Sequence, residues 1–253
     1  MQINVDPAWA LAVFYVWLRL SFLFLLTPVP VVQGTPVVVR VLLTLSLAAL
    51  LVSGGGLRPA AAGFGPGQVL LGVMGEAVVG MTLAFGVLAA FGAFAMAGKI
   101  LDVQSGFGLG VVYDPVTRAG APLFATILNM TGAAVFFAMD GHHALLRGLA
   151  YSLRQVPPGA GLTLSADAAV AQFGLVFSFG IALVIPAILC LLLLEVALAV
   201  ASRTLPQMNI FVVSIPLKLV AALTIFAISA PTLGPAMERV YRAIFTYWES
   251  VLS

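Results

Sequence analysis

Residues 68–122 read QVLLGVMGEAVVGMTLAFGVLAAFGAFAMAGKILDVQSGFGLGVVYDPVTRAGAP. The first part, Gln68–Gly98, is one apolar run that as a helix would exceed about 45 Å at about 1.5 Å per residue, well beyond what a roughly 30 Å hydrocarbon core requires. Such a helix must protrude or bend. Gly72, Gly75, Gly80, Gly86 and Gly92, with alanines between them, remove side-chain bulk so that neighbouring backbones can approach closely. The spacing therefore predicts a packing helix in preference to a lipid-facing one. From Gly98 to Pro122 the character changes. Lys99, Asp102, Gln104, Asp114 and Arg118 appear together, and Gly106, Gly108 and Gly110 alternate with Phe107, Leu109 and Val111. A backbone free to visit positive φ at every second residue thus carries apolar side chains. Two readings stand for this segment. One is a flexible connection at the headgroup level. The other is a buried or pore-filling element, because a headgroup loop gains nothing from Phe107, Leu109, Val111, Val112 and Tyr113 in near succession, whereas hydrophobic constrictions hold a passage dry.

Composition sets the solvent. Of 253 residues, 62% are hydrophobic and 8% charged, against roughly 45–50% and about 25% in soluble domains. The chain reads as an all-α integral membrane or membrane-associated protein. Its net charge of +2, with no basic run, excludes a nucleic-acid surface. The lone Cys190 excludes an internal disulfide framework. MQINVDPAW, with Asp6 and no Lys or Arg, lacks the positive flank of a secretory signal, so the first apolar stretch is expected to stay in the mature chain.

Six apolar blocks follow one another, at about 8–26, 37–52, 68–98, 122–139, 168–202 and 210–230. They are separated by Pro- and Gly-rich breaks such as TPVPVVQGTP and SGGGLRPAAAGFGPG, and they predict about six apolar helices arranged as hairpins. Pro186 inside the fifth block predicts a kink. Two amphipathic helices are also expected. After DGHH, Leu145, Leu146, Leu149 and Leu153 share one face, and from Pro235 onward Met237, Val240, Tyr241, Ile244, Phe245, Trp248, Val251 and Leu252 recur at helical spacing. The second of these suits a membrane surface or a partner. Ser165 or Asp167 is placed to cap the fifth block. Loop charges are too evenly divided to orient the chain.

Arg19, Arg40, Glu76, Glu195 and Lys218 lie in or at the edges of apolar blocks, where an unpaired charge facing lipid costs several kcal/mol. They must face protein, water or each other. Ion pairs that fix helix or subunit register explain scattered charges better than a relay, which clusters its acids. Asp140-Gly-His-His143 invites a metal reading, but adjacent histidines on a helix are expected to diverge and no third histidine exists. Asp140 as helix N-cap accounts for it, so no metal and no cofactor are expected. GFGLG lacks the strand and the GK[ST] of a phosphate loop, and no serine sits in a GxSxG elbow, so no enzyme is expected.

The ordered residues resemble the FliR/SctT family of type III export-gate subunits. The resemblance rests on Arg19 with Pro28, Pro36 and Arg40; on Glu76 and Gly80 of EAVVG; on Gly98, Lys99, Asp102, Gln104 and GFG at 106–108; on Asp114-Pro115 and GHH at 141–143; and on Arg203, PQMNIF at 206–211, Pro216 and Lys218. The stretch LAVA at 198–201 departs from the family by lacking a glycine. The resemblance implies a non-enzymatic subunit of one membrane domain, in which residues 1–165 form a FliP-like portion and 166–253 a FliQ-like hairpin with a C-terminal helix. It implies assembly with FliP-like, FliQ-like and FlhB-like subunits in the bacterial inner membrane, at a flagellar basal body or injectisome base, where unfolded export substrates cross. It also implies a plug loop at Gly106, Phe107, Gly108, Leu109, Gly110, Val111, Val112, Tyr113, Asp114 and Pro115. A second reading, a small-molecule secondary transporter, rests on the intramembrane charges and on the Pro- and Gly-interrupted helices.

Overall fold

The structure, a computed structural model, describes residues 6–27, 35–60, 65–107, 122–160, 166–204 and 210–252. Among them are seven α-helices and no strand: α1 (Pro7–Leu26), α2 (Val37–Gly55), α3 (Pro66–Ser105), α4 (Leu123–Ala138), α5 (Gly141–Gln155), α6 (Ala166–Thr204) and α7 (Ile210–Leu252). Five are long and apolar enough to cross a membrane, and there are up to six such spans if α4 and the α5 that follows it count as one broken span. The six apolar blocks thus emerge as helices, as their lengths predict. With 16 residues, α4 reaches only about 24 Å at 1.5 Å per residue.

Two compact units are present. The first comprises Met1–Ala90, Asp140–Gly174 and Tyr241–Ser253. Its opening helix starts where Asp6 accepts the Ala8 amide at 3.0 Å and Pro7 occupies the first turn, a position where the missing N–H costs nothing. Gly56, at φ 59°, closes α2 in the left-handed conformation. α1 and α2 run antiparallel, because Trp9 donates its indole N–H to Ser53 Oγ at 3.2 Å and Trp17 to Thr44 Oγ1 at 3.1 Å. The first half of α3 packs on α1 through its glycines. Tyr15 fills the space over Gly72, and a Cβ at Gly80 would lie 2.8 Å from Phe22 Cβ and 3.0 Å from the Arg19 carbonyl. This is the close backbone approach that the glycine spacing predicts.

The C-terminal turns of α7 also belong to this unit. Tyr241, Ile244, Trp248 and Leu252 are buried, so the amphipathic tail docks on its own chain and not on a membrane surface or a partner. The reason is a fitted socket for one indole. Trp248 donates to the Leu83 carbonyl at 3.0 Å, and a Cβ at Gly86 or Gly148 would come within 3.1 or 2.5 Å of its ring. Nor is the tail a separate helix. α7 continues for 43 residues with Pro216, Pro231 and Pro235 inside it, so buried packing outweighs the backbone bonds those prolines remove. α6 likewise runs through Pro186, and Asp167 lies in its first turn; Ser165 is outside the described residues. On α5, Leu149 and Leu153 are buried, whereas Leu146 is 38% exposed and leaves the expected apolar face.

The second unit comprises Phe91–Met139 and Leu175–Val240. Here α3 meets α4 backbone to backbone, since a Cβ at Gly98 would overlap the Ala125 main chain. Gly180 of α6 sits against Ala93, where an added Cβ would be 2.9 Å from that residue's Cβ. Phe124 stands edge-on to Phe107 and to Phe226, at 5.8 and 5.4 Å between ring centres.

Gly98→Ala should therefore destabilise the purified chain by about 1–3 kcal/mol through overpacking. Gly92→Ala should be neutral or slightly stabilising, since its Cβ would meet nothing within 4 Å. Thermal unfolding in detergent separates the two, and equal midpoints would refute the close approach of α3 and α4.

Candidate functional site

Arg19 and Glu76 meet in the first unit at zero exposure. Apolar sequence on both sides leaves a lone charge there no solvent, so the two must satisfy one another. The geometry is fork to fork: Arg19 Nε donates to Glu76 Oε2 at 2.6 Å and Nη2 to Oε1 at 2.9 Å. The other donors reach the end of α5 and the residue after it. Nη1 binds the Ser152 carbonyl at 3.1 Å and its Oγ at 3.3 Å, and Nη2 binds the Val156 carbonyl at 3.0 Å. A guanidinium has five N–H groups, and each has an acceptor here. Glu76 Oε1 takes one bond more, from the Gly159 amide at 2.8 Å. Gly159 has φ 80°, a conformation suited to glycine, and Tyr15 packs against it. One buried ion pair therefore fastens α1, α3, the C-terminus of α5 and the turn that follows.

Of the other charges singled out in the sequence, Lys218 and Glu195 pair at 2.5 Å across α7 and α6, with side chains 21% and 38% exposed. Arg40 does something local: its Nε and Nη2 donate to the Thr35 carbonyl at 3.2 and 3.0 Å, just before α2 begins. The five charges thus form two ion pairs and one backbone clasp, each within one compact unit.

Within the expected plug loop, Gly106 and Phe107 are described, while Gly108–Pro115 lie outside the described residues. Gly106 ends α3 at φ 90°, and Phe107 leans on Phe124, so the segment leaves the helix from a fixed point. A residue not singled out as a site fixes the other end. Asp102, 3% exposed, accepts the Phe124 amide at 2.8 Å and the Ala125 amide at 3.1 Å. It caps α4 from a neighbouring helix, because Pro122 at the N-cap has no side-chain acceptor. The available signal was an acid buried in an apolar chain together with a helix start lacking Ser, Thr, Asp or Asn.

Asp140 does precede α5, but its backbone is left-handed at φ 57° and its side chain makes no capping bond. An N-cap needs an extended backbone to aim its oxygen at the first amides, so this conformation turns the carboxylate elsewhere. It lies instead 3.3 Å from His143 Nδ1. Nor do the histidines diverge, since their ring centres are 4.1 Å apart. Successive residues are offset by about 100° around a helix, but rotation about χ1 and χ2 brings the two imidazoles together at the open first turn.

These features define an all-α membrane protein of helical hairpins in which a buried ion pair and glycine contacts lock the packing. Residues 10–244 match the family described as bacterial export proteins, family 1, and the chain belongs to that family. It is 31% identical over 180 residues to the flagellar biosynthetic protein FliR of Escherichia coli (strain K12), covering 70% of this chain and 69% of that protein. It is 30% identical over 162 residues to the secretion system apparatus protein SsaT of Salmonella typhimurium, covering 63% of this chain and 62% of that one. The surface presentation of antigens protein SpaR of Shigella flexneri is 31% identical over 158 residues, or 62% of each chain. The small-molecule transporter reading gives way to this membership, whose relatives are flagellar and secretion-apparatus proteins.

Removing one partner of the buried pair strands the other. Arg19→Met and Glu76→Leu should each lower stability by about 3–5 kcal/mol. The double variant should recover only part of this, because the Val156 carbonyl and the Gly159 amide lose their partners at about 1–3 kcal/mol apiece. Thermal unfolding of the three variants tests it, and full recovery in the double variant would show an isolated pair.

Proposed function

We propose that the chain is a structural and gating subunit of a type III protein-export gate in the bacterial inner membrane, at a flagellar basal body or injectisome base. The carrying observation is membership of the bacterial export family over residues 10–244, with flagellar and secretion-apparatus relatives. Surface chemistry supports an assembled state. Val37, Val38, Leu42 and Leu50 on α2 are each more than half exposed, as are Leu189, Leu193, Val196 and Val200 on α6, and water is a poor solvent for so much apolar area. In this reading FliP-like, FliQ-like and FlhB-like subunits and lipid cover those faces, and the subunit does no catalysis. Residues 1–165 form the FliP-like portion. Residues 166–253, beginning where α6 begins, form the FliQ-like hairpin and its C-terminal helix.

The glycine-rich segment is the gate. Apolar side chains at Leu109, Val111, Val112 and Tyr113 seal a passage against water and ions, and the glycines between them let the seal rearrange for an unfolded substrate. Its ends are fastened by Gly106 and Phe107 on one side and by the Asp102 cap on the other. Movement is thereby confined to the segment and does not unravel α3 or α4.

Deleting residues 108–112 should leave the chain able to co-purify with its sister subunits while the assembled pore conducts ions in a planar bilayer at rest. A sealed assembly carrying the deletion would overturn the plug role. A chain that purifies alone and never associates with other export subunits, as judged by native mass measurement, would overturn the subunit reading itself.

A further inference from the structure

We propose that Asp140, His142 and His143, at the start of α5, form a binding site for one divalent transition-metal ion. One ligand atom from each side chain lies within 4.8 Å of the other two. The best-defined pair is the most telling. Asp140 Oδ1 and His143 Nδ1 are 3.3 Å apart, which is long for a charge-assisted hydrogen bond of about 2.7–2.9 Å. It equals the edge of a tetrahedron whose centre lies about 2.0–2.1 Å from each corner, the bond length of zinc to imidazole nitrogen and carboxylate oxygen. Two ligands on one ion stand at that separation.

The imidazoles of His142 and His143 lie 4.1 Å apart between ring centres at a 39° tilt; two imidazoles on one tetrahedral ion stand about 5 Å apart, so binding turns the rings about χ1 and χ2 until their ligand nitrogens, now within 4.8 Å, converge on the ion. Access is open at His143 and Asp140, whose side chains are 59% and 76% exposed, while His142 is half-buried with its Nδ1 turned inside. Two imidazoles and one carboxylate suit zinc, copper or nickel, whereas calcium and magnesium prefer all-oxygen shells. Three protein ligands leave at least one position to water or to a donor from another chain. Asp140 is also the one non-glycine residue with positive φ among the described residues. That conformation withholds its carboxylate from the helix amides and presents it to the histidines. An ion there would pin the turn between α4 and α5 from outside.

The experiment uses the full chain without an affinity tag, in detergent micelles. Zinc titrated calorimetrically should bind one ion per chain, and copper(II) should give an electron paramagnetic spectrum with hyperfine splitting from two nitrogens. His143→Ala and His142→Ala should each weaken zinc binding by about tenfold or more and reduce the copper spectrum to one nitrogen. Asp140→Asn should weaken binding while keeping both nitrogens. Added zinc should raise the unfolding midpoint of the native chain and leave that of His143→Ala unmoved. Zinc affinity unchanged in His143→Ala, or a native copper spectrum with one nitrogen or none, overturns the site; because His143 is exposed, that variant tests it without disturbing the fold.

Discussion

A guanidinium with no water around it must find an acceptor for every one of its N–H groups, and Arg19 imposes that requirement on its compact unit. Its five bonds take the carboxylate of Glu76 from α3, two carbonyls and a hydroxyl at the end of α5, and through Glu76 the amide of Gly159. Segments separated by 57 and 137 positions in sequence are thus held to one geometry. Apolar packing alone would not do this, because lipid and helix interior are equally greasy and a helix surrounded by hydrocarbon gains little by choosing one neighbour over another. A buried charge makes the choice, since any other register leaves donors unmet.

The same economy recurs wherever the chain spends a polar atom. Asp102 holds the first amides of α4, Trp248 ties the end of α7 to the middle of α3, and Glu195 joins Lys218 between α6 and α7. Beside each clasp on α3 a glycine lets the partner come close: Gly80 beside Arg19, Gly86 beside Trp248, Gly98 beside Ala125. Specificity here is a product of two features that only work together. The glycine admits the neighbour, and the polar bond decides which neighbour it is.

How much of this was legible in the sequence follows from what each feature depends on. Helix number and order depend on the length of apolar runs, and the six blocks appear as helices because nothing else satisfies so many backbone groups in so apolar a chain. That Arg19 and Glu76 could not face lipid alone was equally visible, but what each would meet was not, since register between distant helices leaves no local trace. Prolines misled at the end of the chain. Pro235 read as the start of a separate tail helix, yet α7 passes through it because the turns beyond it are anchored by Trp248. Capping was misread once and missed once. Asp140 has the right residue type in a backbone conformation that cannot cap, and Asp102 caps a helix 22 residues away, where no local pattern reaches.

These fastenings also divide the molecule by role. Of its most apolar window, α3 buries 61% inside the chain, whereas α6 buries 17% and α7 6%. The central helix is therefore completed by its own polypeptide, and the later pair keeps its apolar surface outward. The two acids of α3, Glu76 and Asp102, are buried and bonded within their own chain. At its far end α3 stops at Gly106, and the chain resumes at a helix whose first amides are already claimed by Asp102.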